Sequence, residues 1–150
     1  MEFSANQLNK LAQGLVQPGE VYRIKLTESE GVKSKSKQDN GRNKYFVVLG
    51  IDDTGELIGF VLINTDVNEK LSQELKDLHY KITAADYPFL EKDRYICCSE
   101  LKQIKITQFF ERFQNKAVKV LESRHLEVIK NLLAQSPRVS DRTMSKFGLL

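Results

Sequence analysis

The densest chemistry in this 150-residue chain is a run of positive charge. Lys33, Lys35, Lys37, Arg42 and Lys44 fall between residues 31 and 44 against a single acid, Asp39. Such a cluster attracts phosphates or acidic partners more strongly than the net charge of +3 suggests. The plainer reading is a solvated loop kept soluble by charge. A second excess, 8 basic against 4 acidic groups, lies in residues 107–150, whereas residues 45–106 carry 7 against 11. His79 stands in an alternating strand, where it serves either as a group that exchanges protons near neutral pH or as an ordinary strand residue. Asp52 and Asp53 are a carboxylate pair of the type used in acid–base work. They sit in Asp52-Asp53-Thr54-Gly55, however, a turn in which aspartate bonds its own backbone. Tyr80, Phe109, Phe110 and Phe113 offer rings on which bases stack, although the helical spacing of the three phenylalanines also suits a core.

Other chemistries are missing from the sequence. Cys97 and Cys98 are adjacent, and neighbours in a strand point to opposite faces. They build no disulfide framework, which points to a reducing cytoplasm. There is no third cysteine for a zinc site, no histidine pair at ligand spacing, no Gly-rich phosphate loop and no nucleophile elbow. No metal or cofactor is expected.

The elements that position these residues change period twice. Ser4 and Gln7 have capping-box spacing, Phe3 and Leu8 fall at staple positions, and Leu8, Leu11 and Leu15 make a helical stripe. Pro18-Gly19 ends that N-terminal helix. From 20 to 106 the pattern is that of strands. Val21 to Leu26 alternates; Tyr45 to Ile51 is nearly continuous apolar, as in a central strand; Leu57 to Ile63 returns from the turn at 52–55. Gly50 and Gly59 predict bends or bulges. Residues 27–44 form a long, exposed loop with almost no apolar anchor. Residues 66–77 fit either a loop or a short helix. Shorter strands follow at 78–82, 94–98 and 101–106. After Thr107 the helical period returns: Phe109, Phe110, Phe113, Ala117, Val120 and Leu121 share one face. Leu126, Ile129, Leu132 and Leu133 form a second helix that Ser136-Pro137 breaks, and Ser140 caps a last turn ending at Gly148. The expectation is one domain over 1–150, with an N-terminal helix (1–18), a small curved antiparallel barrel (20–106) and a helical appendage (107–150).

Composition sets the outer bounds. With 41% apolar and 29% charged residues, the chain buries a core and is not disordered throughout. No uncharged run approaches a membrane span, and Met1-Glu2-Phe3-Ser4 lacks the marks of a signal peptide.

The order of several pieces between Gly19 and Ile104 resembles the MazF/PemK-like family of toxin endoribonucleases. Gly19-Glu20-Val21 is similar to the family's opening Gly-Asp/Glu-aliphatic strand. Lys44-Tyr45-Phe46-Val47-Val48-Leu49 is similar to its Arg-Pro-x-Val-Val-Leu strand, and Leu62-Ile63-Asn64-Thr65 to the strand end that carries its Thr or Ser. Ile96 to Ile104 is similar to a late segment running into a short strand. The resemblance implies a mainly β fold with helices, an SH3-like barrel, and a homodimer neutralised by an antitoxin protein. It implies metal-independent cleavage of single-stranded RNA, in which the ribose 2′-hydroxyl attacks the adjacent phosphate and leaves a cyclic phosphate and a free 5′-hydroxyl. That chemistry needs a cation over the developing phosphorane.

The chain departs from the pattern where the cation belongs. Lys44 stands at the position of the family's catalytic arginine, Tyr45 replaces the following proline, and Arg42 lies two residues earlier. If the strand begins by residue 42, both cations share a face. The resemblance makes Arg42, Lys44 and Thr65 the candidate catalytic residues, and Lys33, Lys35, Lys37 and His79 candidate RNA contacts. The alternative is a non-catalytic SH3-like module that binds RNA or a protein. Convergence of Arg42, Lys44, Thr65 and His79 on one groove is what separates the two readings.

Overall fold

The computed structural model describes residues 16–33, 41–112 and 117–150. The N-terminal helix expected over 1–18 lies almost wholly outside the described residues, as do Lys35, Lys37 and Phe113. Among the described residues no helix is long and apolar enough to cross a membrane.

The fold is mainly β with several short helices. Its strands are β1 (Glu20–Leu26), β2 (Arg42–Ile51), β3 (Leu57–Asn64), β4 (His79–Ile82), β5 (Arg94–Cys97), β6 (Lys102–Lys105) and β7 (Lys119–Val120). All pairings are antiparallel, in the order β4-β5-β3-β2-β1-β7, with β6 also on β3. β3 divides its second edge, pairing β6 through residues 57–60 and β5 through residues 63–64, and the sheet curls into a half-barrel. The helices are α1 (Gln73–Lys76), α2 (Ile106–Arg112), α3 (Ser123–Gln135) and α4 (Asp141–Lys146).

β2 runs through the middle of the sheet, and both of its faces are buried, which is why its sequence is continuously apolar rather than alternating. Val47 and Leu49 face one cluster with Val21, Val61, Ile63 and Ile96; Phe46 and Val48 face another with Tyr22, Ile24, Ile58 and Phe60. α3 and α4 cover the first cluster through Ile129, Leu133 and Met144, while α2 covers the second through Ile106 and Phe109. Phe46, Phe60 and Phe109 are fully buried, and each contributes roughly 1.5–3 kcal/mol by leaving water.

The two strand glycines do what their positions predict. Pairing is Val48 with Phe60 and then Gly50 with Gly59, so the register slips at a bulge. Phe147 then packs directly on the glycines: a Cβ at Gly59 would lie 2.8 Å from its ring and one at Gly50 2.7 Å from its carbonyl oxygen.

Three expectations are amended. The helical stripe of 109–121 is not one helix. α2 is described from Ile106 to Arg112, and Lys119–Val120 joins the edge of β1, where the Val118 and Leu121 amides donate to the Val21 and Gly19 carbonyls. The open backbone edge of β1 and the β-branched Val118 and Val120 outweigh helical spacing there. Residues 107–150 are accordingly no appendage: they supply an edge strand and a cover for each face. The 27–44 segment also begins with firm anchors. Thr27 caps a 3₁₀ turn at Glu28–Glu30, Val32 is buried, and the buried Glu30 carboxylate pairs with Arg112.

Candidate functional site

At one end of the β2–β3 hairpin the apolar pattern gives way to polar residues. Arg42 and Lys44 alternate on β2 and so share a side. The β2–β3 register, Tyr45 with Ile63 and Phe46 with Leu62, brings Lys44 beside Asn64, and Lys44 Nζ donates to Asn64 Oδ1 at 2.7 Å. Thr65 follows β3 directly, exposed, with its hydroxyl 3.4 Å from Asp66 Oδ2. β4 and β5 bring in the next side chains, because His79 pairs with Cys97.

These residues line one cavity of about 390 Å³. Arg42, Lys44, Thr65 and His79, widely separated in sequence, all border it, together with Asn64 and Cys97. Arg138, beyond α3, closes another side and pairs with Glu100 at 2.9 Å. Arg42 has no carboxylate partner among the described residues. Lys33 is exposed and lines no part of this cavity.

The proton position on His79 follows from its partner. Nδ1 lies 2.9 Å from the Leu75 carbonyl oxygen, which only accepts. Nδ1 therefore carries the proton, and in the neutral ring Nε2 keeps a lone pair. The capped helix α1, with Ser72 accepting from the Leu75 amide, holds that carbonyl in place. The cavity thus contains a guanidinium with no carboxylate among the described residues, an oriented ammonium, a hydroxyl and a proton acceptor. Among the described residues no three His, Cys, Asp or Glu side chains gather where a metal ion is held.

The remaining sequence candidates fall elsewhere. Asp52 is a buried turn residue. One of its oxygens accepts from the Glu56 and Leu57 amides at 2.9 and 3.0 Å, and the other from the Thr54 hydroxyl at 2.7 Å. Burial pushes its carboxyl up, but these hydrogen bonds outweigh it and hold the carboxyl below its ordinary value. Phe109 is core. Cys98 is buried, which pushes its thiol up and keeps it protonated. Cys97, on the opposite face, does border the first cavity and contacts the Ser99 hydroxyl at 3.3 Å.

A second cavity of about 330 Å³ adjoins the first and shares Arg42, Lys44 and Thr65 with it. Its other walls include Arg23, Tyr45 and Arg94. Neither arginine stands out in the sequence: each is one charged position in a short strand, and strand pairing alone reveals that they meet. No protein-family model matches the sequence, and no curated protein matches it.

Proposed function

We propose that this chain is a metal-independent endoribonuclease of the MazF/PemK type, with an SH3-like barrel, that cuts single-stranded RNA as the toxin of a toxin–antitoxin pair. The observation that carries the reading is the meeting of Arg42, Lys44, Thr65 and His79 at one cavity. Each supplies a part that the reaction needs. His79 Nε2 takes the proton of the ribose 2′-hydroxyl as that oxygen attacks phosphorus. The Arg42 guanidinium faces the phosphorane, where a forked cation stabilises charge that develops only in the transition state. Lys44, steadied by Asn64, positions the backbone as a point charge. Thr65 donates to a non-bridging oxygen. The P–O5′ bond breaks, and the leaving 5′ oxygen takes a proton from solvent at the cavity mouth, where Thr65, Asp66 and Asn68 are exposed. The products are a cyclic phosphate and a free 5′-hydroxyl. On this reading the protein partners are a second copy of the chain and an antitoxin, and the compartment is the cytoplasm.

Two observations favour a non-catalytic module that binds RNA or a protein instead. The Thr65 hydroxyl is directed at Asp66, and Arg138 is neutralised by Glu100, so part of the cavity wall is already satisfied. The deciding experiment is incubation of the purified chain with long single-stranded RNA in chelator. The expected products carry cyclic phosphate ends; intact RNA that is nevertheless bound replaces the nuclease with the module.

A further inference from the structure

We infer that the second cavity is a binding site for another backbone phosphate of the same RNA strand, clamped by Arg23 and Arg94; this rests on the RNA reading above. Seven arginines are described, and three of them, Arg112, Arg124 and Arg138, pair with carboxylates. Among the described residues Arg23, Arg42, Arg94 and Arg142 have no such partner, and the first three of these line this one cavity. Lys44 adds a fourth positive charge, and Glu91 is the one acid among the described lining residues. Like charges gathered in a concavity repel one another and focus a positive field. Arginine forks match phosphate oxygens in pairs.

The arrangement is built from strand pairing and not from loose surface residues. Arg23 is the β1 partner of Tyr45 on β2, and its guanidinium carbon lies 5.6 Å from the Tyr45 ring centre. Arg94 reaches the same ring from β5, on the other side of β2, at 5.5 Å. Its Nε donates to the Leu90 carbonyl at 3.1 Å, which leaves its terminal nitrogens for a ligand. The Tyr45 ring is itself fixed, packed edge-on against Phe89 at 5.4 Å. Guanidinium planes held against an aromatic ring lose little freedom when they bind. Tyr45 stands where the resembling family has proline, so the departure from that pattern is also the platform of this clamp.

A single strand suits the site better than an isolated anion. Arg42, Lys44 and Thr65 border both cavities, so a chain with one phosphate in the first passes directly over the second. Arg23 and Arg94 then hold the substrate away from the reacting phosphate and contribute to affinity without touching the bond that breaks.

The test uses the full chain and a fluorescein-labelled single-stranded RNA whose 2′-oxygens are methylated, which binds but is not cut. Arg23→Gln/Arg94→Gln is expected to weaken binding about 10- to 100-fold, as for lost charge-assisted hydrogen bonds. The slope of log affinity against log salt should fall by about 0.7, as for one phosphate on a single strand. Arg94→Lys should restore the slope but not the affinity. Cleavage of a dinucleotide, which has one phosphate, should match wild type. Unchanged affinity and slope in the double variant, with its unfolding midpoint preserved, overturns the clamp, as does slower dinucleotide cleavage, which places the arginines at the first site. If wild type binds but never cuts and the double variant loses binding, the clamp stands and the nuclease fails. If wild type binds no RNA, both fall.

Discussion

The β2–β3 hairpin has two ends that treat charge in opposite ways. At its tip, Asp52 is a charged group with every need met: two backbone amides and a hydroxyl converge on its carboxylate. At its open end, Arg42 has no carboxylate among the described residues, and Lys44 donates to the neutral Asn64 amide oxygen. The tip spends its charge on holding the turn, whereas the open end keeps its charge facing a cavity. Residue type alone does not separate the two; whether the polar group is already satisfied does.

The sharpest way to test that contrast is Arg42→Ala. On the proposed reading it lowers the single-turnover cleavage rate by about 10²- to 10³-fold, as for deletion of one preorganised charge-stabilising donor. The unfolding midpoint should stay near wild type, because the half-buried guanidinium makes no ion pair among the described residues. An equal rate in the variant moves the reaction away from this cavity.

Asp52→Ala should do the reverse. It strands two amides and lowers stability by about 1–3 kcal/mol, read as a shift in denaturant midpoint, while cleavage per folded molecule stays unchanged. Loss of cleavage with stability intact would erase the distinction between the two ends.

The tip also has a signature in acid. The folded Asp52 carboxyl sits below its ordinary 3.8, so the folded state binds the proton less readily than the unfolded one. The stability it contributes is fully present above 3.8 and is lost as pH falls through the lowered folded value. Asp52→Asn should therefore flatten the wild-type fall in stability over that acid range. Parallel curves for the two proteins would contradict the assignment.

Thr65→Val has the smallest expected effect. It keeps the shape and, on the proposed reading, removes one hydrogen bond from an uncharged donor to phosphate, so cleavage should slow about tenfold. A loss as large as that of Arg42→Ala would make the hydroxyl a participant in the chemistry and not only a guide.

Much of the sheet was legible in the sequence because its cues are local. The Asp-Asp-Thr-Gly turn, the apolar run of β2, the Gly50/Gly59 bulge and the Ser140 cap all depend on near neighbours, and all are present. β7 was hidden because Val120 and Leu121 fit a helical face as well as a strand, and only the free edge of β1 decides between them. The site was half visible. Arg42 and Lys44 lie two apart on one strand, so their shared side could be read directly. That Arg23 meets Tyr45, or that His79 donates to Leu75 and shares a cavity with Arg42, depends on register between distant strands, which spacing in one sequence does not carry. Lys33, a charge in an exposed loop, lines neither cavity.

The return of β7 to β1 has a consequence for the order in which the molecule assembles. The Leu121 amide closes on the Gly19 carbonyl, joining residues roughly a hundred positions apart, a large loop whose closure costs entropy before it yields contacts. The β1–β2–β3 meander closes far smaller loops, the larger being residues 27–41, and is complete in the first half of the chain. During synthesis it therefore waits with one edge open and with Val47, Leu49 and Val61 uncovered, until β7 and α3 have been made. Arg138, the last side chain to join the cavity wall, follows them, so the pocket is finished only when nearly the whole chain is present. Pulse-labelled hydrogen exchange should show protection of the β2–β3 amides ahead of those of Val118 and Leu121.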